Sequence, residues 1–218
     1  MTEITTPALL KVESLKTTGI SNPVNLTVLS GQVWMISGSS GTGKSQSLKA
    51  LADLIVHEGQ VTLNGVSQQM IRPENWRSQV MYFSTETAWW CDSIGEHFNK
   101  IPDESQLNSI GLFTSILQKN PDECSSGEKQ RLALLRGLER SPKVLLLDEI
   151  TANLDTEAAV KIEQLLQNYL LENSLDDSRQ CAIIWVSHDE AQRERMAPIE
   201  QQLIFKSASK SSLEERLT

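Results

Sequence analysis

The stretch "VWMISGSSGTGKSQSLKAL", residues 33–51, sets the strongest limit on what this chain can fold into. A strand-like apolar run over 32–37 meets Gly38-Ser39-Ser40-Gly41-Thr42-Gly43-Lys44-Ser45 and then a helical pattern. That is GxxxxGK[ST] in the strand-to-helix setting that gives the motif its meaning. Each part has a physical task. The glycines let backbone N–H groups turn inward around phosphates, Lys44 neutralises the outer phosphate charge, and Ser45 offers a hydroxyl to Mg2+. A chance match somewhere in 218 residues has a probability on the order of one per cent. The expected ligand is a nucleotide phosphate.

Strand-like runs recur near 9–12, 26–29, 32–37, 59–63, 80–83, 144–148, 181–187 and 202–206, and several alternate with helical patterns. Within 156–172, Ala158, Ile162, Leu165, Leu166 and Tyr169 share one face of an amphipathic helix that joins two strand-like runs as a crossover. Strand, helix and strand repeated in this way predict an α/β fold with helices covering a mostly parallel sheet. The length suits one domain over 1–218. Its weakest pattern, broken by Pro102 and Pro121, marks a small helical lobe at about 86–140. The polar tail after Lys206 reads as a loose end or a short terminal helix.

Charge and cysteine usage narrow the partners. The formal charge of −8 leaves no broad excess of Lys and Arg to displace counterions, which argues against nucleic acid. Apolar runs such as "KVLLLDEI" and "CAIIWVS" fall far short of the roughly 18 to 20 residues that span a bilayer, so a cytoplasmic chain is expected. Cys91, Cys124 and Cys181 are far apart and odd in number, which fits a reducing compartment.

Two strand ends carry candidate chemistry. "KVLLLDEI" closes on Asp148 and Glu149, at the edge where open α/β sheets place ligands. Asp148 suits a Mg2+ ligand and Glu149 a group that polarises an attacking water. "CAIIWVSHDE" puts His188 at the end of another buried strand, a candidate sensor of the terminal phosphate. Residues 123–137, "ECSSGEKQRLALLRG", have two readings. Ser125 and Glu128 satisfy a capping box, and the same backbone donors with the helix dipole make an anion site.

In this order the motifs resemble those of ABC-family nucleotide-binding subunits, from about Leu9 to Phe205. Gly38–Ser45 looks like Walker A, "CSSGE" like the ABC signature, Val144–Glu149 like Walker B, "TANLD" at 151–155 like the D-loop, and His188 like the switch histidine. The run from 125 to 155 is most similar to small bacterial ATP-binding subunits of iron-exporting systems. The resemblance implies a P-loop ATPase fold: a mostly parallel sheet, an antiparallel β part and a shortened helical lobe. It implies a head-to-tail homodimer that sandwiches ATP and Mg2+, with Glu149 as general base and Lys44 and His188 on the γ-phosphate. Nucleotide contacts would come from Gly38–Ser45, Thr85, Ser125, Ser126, Gly127, Glu128 and Asp155, and Mg2+ would be held by Ser45 and Asp148. A separate integral membrane permease subunit would receive the motion, with this chain peripheral on the cytoplasmic face of the membrane.

The chain departs from the family pattern in four places. Thr85 stands where the family has a glutamine, and loss of one such contact costs roughly 10²- to 10³-fold, so a slow ATPase is expected. "ESLKTTGI" lacks the usual adenine-stacking aromatic, which predicts weak base selectivity. Ser126 replaces a glycine, in a turn whose backbone angle a serine must tolerate. The lobe is short and carries Trp89 and Trp90, which either pack its core or meet the membrane subunit. The competing functions are a soluble ABC protein of repair or translation and a nucleotide-binding regulatory module with weak or lost turnover.

Overall fold

The computed structural model describes residues 7–20, 22–174 and 179–206, so the expected tail after Lys206 lies outside the described residues. In chain order the strands are β1 (Leu10–Lys16), β2 (Val24–Val28), β3 (Val33–Gly38), β4 (Glu58–Leu63), β5 (Val66–Ser67), β6 (Val80–Phe83), β7 (Val144–Asp148), β8 (Ala182–Val186) and β9 (Gln202–Phe205). The helices are α1 (Lys44–Leu51), α2 (Pro73–Gln79), α3 (Glu104–Ser109), α4 (Ser126–Leu138), α5 (Thr156–Ser174) and α6 (Glu190–Met196). Every strand-like run of the sequence is a strand, with ends shifted by a few residues. Strand β1 runs on to Lys16 because a bulge carries it past Ser14, whose φ is 52° and whose N–H donates to Asn25 Oδ1 at 2.8 Å. The two-residue edge strand β5 was not legible at its length.

The strands form two sheets. One is antiparallel in the order β2-β1-β4-β5, and the other is five-stranded and parallel in the order β6-β7-β8-β3-β9. Strands β7 and β8 are buried along their whole length, as near-continuous apolar runs must be when helices cover both faces of a parallel sheet. Their side chains alternate between two cores. Leu145, Leu147, Ile183 and Trp185 join Leu132 of α4 and Ile162 and Leu166 of α5 on one face. Val144, Leu146, Ala182, Ile184 and Val186 join Leu48 and Leu51 of α1, Trp76 of α2 and the antiparallel sheet on the other.

Residues 86–140 carry short helical pieces: α3, α4 and 3-10 turns at Gly95–His97, Thr114–Gln118 and Pro121–Glu123. Their apolar residues Ile94, Leu107, Ile110 and Ile116 belong to the same core as Leu145 and Ile183. Among the described residues no helix is long and apolar enough to cross a membrane.

Because Leu107 is fully buried in that shared core, Leu107→Ala is expected to lower stability by about 2–5 kcal/mol. Chemical denaturation should still show a single transition. An early step that releases the 86–140 segment alone would contradict the shared core.

Candidate functional site

Strand register assembles the site. Ile36 of β3 is level with Val186 of β8, and Val186 is level with Asp148 of β7. The parallel chains therefore leave the sheet at one height and one edge, which gathers the loop after β3, the acidic end of β7 and the turn after β8. The loop 38–45 is tightly braced. Thr42 Oγ1 donates to Ser39 O and Ser47 Oγ to Gly43 O, each at 2.9 Å. Gly43 is the N-cap of α1 at φ 91°, and a Cβ there would lie 2.6 Å from the Gly19 carbonyl oxygen. With no cap side chain and no acidic residue in the first turn, α1 keeps its N-terminal donors and dipole for an anion. Lys44 is buried, and its ammonium donates to Gly38 O and Ser39 O at 2.9 Å each. Ser39, Ser40 and Gly41 are exposed at the loop mouth.

Ser45 Oγ donates to Asp148 Oδ1 at 3.0 Å, across a sequence separation of 103 residues. A serine hydroxyl and one carboxylate are the hard-oxygen set that Mg2+ accepts from protein while it keeps waters and phosphate oxygens. These residues fit that ion. The other carboxylate oxygen, Oδ2, accepts from Tyr82 Oη at 2.6 Å. Burial first, and then the bond to Asp148 and the charges of Asp148 and Glu86, push the Tyr82 hydroxyl far above its ordinary pKa, so it stays a donor. No local sequence signal marks Tyr82, because its reach to Asp148 follows from β6 lying beside β7.

Glu149 sits at φ 54°, a left-handed conformation costing on the order of 1–3 kcal/mol for such a residue. Its N–H donates to Val186 O at 3.1 Å, and its Oε1 lies 3.0 Å from His188 Nε2. The strained turn thus points the carboxylate at the histidine from the next strand. A further network stands behind this pair. Buried Gln192 receives the Thr151 hydroxyl at 3.1 Å and donates to Glu163 Oε1 at 3.0 Å, while Arg195 is paired with Glu163 at 2.7 Å. It ties the loop after Glu149 to the helix after His188. Tertiary contacts of this kind leave no local signal.

At the start of α4 the capping-box reading of "CSSGE" holds. Ser125 is the N-cap, its Oγ accepting from Glu128 N at 3.2 Å while Glu128 Oε2 accepts from Ser125 N at 2.7 Å. The Ser125 backbone N–H holds the Glu128 carboxyl below its usual pKa. Ser126 is the first helical residue and is not among the positive-φ residues, so its backbone needs no glycine. That corrects the expected strain. Gly127 matters for space: a Cβ there would lie 3.0 Å from Leu154 Cδ2. Asp155 Oδ1 accepts from Ala158 N at 2.8 Å and so caps α5. Among the described residues, no hydrogen bond joins Ser125–Glu128 or Asp155 to the 38–45 loop. Helix α1 packs on one face of the sheet and α4 on the other.

Thr85 is exposed, two residues beyond Phe83 at the end of β6. Beside Thr42 lies a cleft of about 320 Å³ whose lining includes Ile20, Pro23, Leu203 and Phe205. Phe205 brings an aromatic ring there from the far end of the chain. Trp89 packs against the shared core, whereas Trp90 is 71% exposed. The Arg136 guanidinium lies over both rings, at 4.5 and 5.0 Å, and His97 meets both edge-on at 4.9 Å.

Comparison with known proteins agrees with this architecture. Residues 21–152 match the family model described as ABC transporter. The chain is 35% identical to "Probable iron export ATP-binding protein FetA" of Escherichia coli (strain K12), over 78% of each chain. It is 30% identical to the ABC transporter ATP-binding protein MJ0873 of Methanocaldococcus jannaschii, over 83% of this chain and 68% of that one. Among solved structures, the dimeric bacterial ABC transporter cassette MJ0796 superposes with a TM-score of 0.70 at 21% identity, covering 90% of this chain and 94% of the other.

The crowding at Gly43 gives a stability test. Gly43→Ala is expected to cost more than about 1 kcal/mol. Gly41→Ala, at φ 77° but in open space, is expected to cost less than Gly43→Ala by chemical denaturation. Equal losses would contradict the close approach of Gly19.

Proposed function

The chain belongs to the ABC transporter family, and on that premise we propose that it is the ATP-binding subunit of a transporter whose membrane-spanning permease is a separate chain. It is an ATP hydrolase of that family. The observation that carries the proposed site is the 3.0 Å bond between Ser45, in the phosphate loop, and Asp148, at the end of β7. The loop N–H groups and the N-terminus of α1 take the phosphates. Lys44, now on two neutral carbonyls, gains a stronger anionic acceptor in a phosphate oxygen. Ser45 and Asp148 would hold Mg2+, which when bound would neutralise charge on the phosphates. Glu149 takes the proton of the attacking water, and His188 orients both that carboxylate and the γ-phosphate. The cleft beside Thr42, lined by both apolar and polar residues, accommodates the base.

The site is completed by a second copy. The phosphate loop opens onto α1 on one face of the sheet, while Ser125, Ser126, Gly127 and Glu128 open α4 on the other. A head-to-tail homodimer brings the capped start of α4 in one copy to the phosphates held by the other, with Asp155 and its loop between them. This placement supports the dimer. The chain acts as one nucleotide-binding domain whose 86–140 lobe docks on the permease, peripheral to the cytoplasmic face of the membrane. Exposed Trp90 is the natural anchor for that contact. The relative named for iron export supports iron as the cargo.

Two substitutions test the chemistry. Glu149→Gln is expected to cut Mg2+-dependent ATP hydrolysis about 10²- to 10⁴-fold while ATP still binds. Hydrolysis at the wild-type rate would overturn the general-base assignment. Thr85→Gln, which restores an amide beside the site, is expected to raise turnover, and unchanged turnover would show that Thr85 does not limit the rate. No hydrolysis by the wild-type chain with its permease present would favour a regulatory module.

A further inference from the structure

The carboxylate of Asp148 is held from two sides, by Ser45 on Oδ1 at 3.0 Å and by Tyr82 on Oδ2 at 2.6 Å. The second contact follows from the sheet. Tyr82 is level with Leu146 in the parallel β6–β7 ladder, and Asp148 lies two residues further along β7. Residues two apart on a strand share a face, so Tyr82 and Asp148 both lie on the face covered by α1, where Tyr82 packs with Leu146 and Val80. The phenol spans the step to Asp148, and its hydroxyl arrives at the acid's outer oxygen. Lys49 of α1 lies 6.0 Å from the ring centroid, which places the ring against the helix that begins at Lys44 and Ser45.

We infer that Tyr82 is a positioning residue for the divalent cation, fixing the Asp148 carboxylate so that Oδ1 is presented to the ion beside Ser45. This rests on the proposed cation site. The physical need is clear from the torsion involved. The terminal χ of an aspartate is a broad, soft rotor, so an unheld carboxylate offers either oxygen in many orientations. Mg2+ demands near-ideal octahedral geometry and gives up its waters reluctantly, so a misdirected ligand oxygen weakens binding. A donor on Oδ2 removes that freedom without competing for Oδ1. Hydrogen-bond partners that orient metal ligands typically contribute about 10- to 100-fold in affinity. Tyr82 touches neither nucleotide nor water in this scheme and acts only through Asp148.

The test uses the full chain with Mn2+ as the probe. Bound Mn2+ is counted by electron paramagnetic resonance in saturating adenylyl imidodiphosphate, a non-hydrolysable ATP analogue. Affinity for the same analogue is measured separately in EDTA. Tyr82→Phe keeps the ring in its packing site and removes only the hydroxyl. It is expected to weaken Mn2+ binding about 10-fold or more, with cation-free nucleotide affinity unchanged. Equal Mn2+ affinity in Tyr82→Phe and wild type would overturn the inference. So would parallel losses of Mn2+ and cation-free nucleotide binding, which would mean a merely structural role. Absence of nucleotide-dependent Mn2+ binding in the wild type would instead overturn the cation site itself.

Discussion

The parallel ladder through β3, β8 and β7 is the constraint on which the rest of the molecule depends. Its register sets Ile36, Val186 and Asp148 at one level, so the 38–45 loop, a carboxylate pair and a histidine from distant parts of the sequence share one edge. A one-residue slip in that ladder would turn every side chain to the opposite face. The slip is prevented by burial on both faces, where Leu145, Leu147 and Trp185 fill one core and Val144, Leu146 and Ile184 the other. The apolar runs "VLLLD" and "AIIWV" are therefore the source of the site's geometry as well as of stability.

Strain and close approach are concentrated where the ladder ends. Glu149 takes a left-handed backbone to face His188, and Gly43 takes one beneath the Gly19 carbonyl. These positions hold only because rigid elements on both sides determine them. The buried network of Thr151, Gln192, Glu163 and Arg195 locks the loop after Glu149 to the helix after His188. The fold itself holds the polar groups at this edge in place, as the proposed stabilisation of a developing charge would require.

The features legible in the sequence were those whose physics is local. The 38–45 loop is contiguous, and the Ser125–Glu128 capping box needs only a three-residue spacing, so both could be read directly. Strands were legible as apolar runs, with ends blurred by a bulge at Ser14 and by a turn in which Leu29 N–H donates to Gln32 Oε1. Tyr82 and Gln192 were not legible, because their partners are set by which strands and helices become neighbours. Ser126 looks like a turn residue from its neighbours in the sequence, whereas it is the first residue of α4, with no need for a glycine backbone. Trp89 and Trp90, adjacent in sequence, divide between core and surface, while Arg136 and His97 touch both rings.

The central claim is that the phosphate loop of one copy works with the start of α4 in another. Mixing two inactive variants tests it most directly. Lys44→Ala removes the cation proposed to bind phosphate, and Ser125→Glu places a negative charge where α4 would meet the partner's γ-phosphate. Each alone should hydrolyse little ATP. Their mixture should regain hydrolysis, because a mixed dimer contains one site with both Lys44 and Ser125 intact. A mixture as inactive as its separate components would contradict a site shared between two copies.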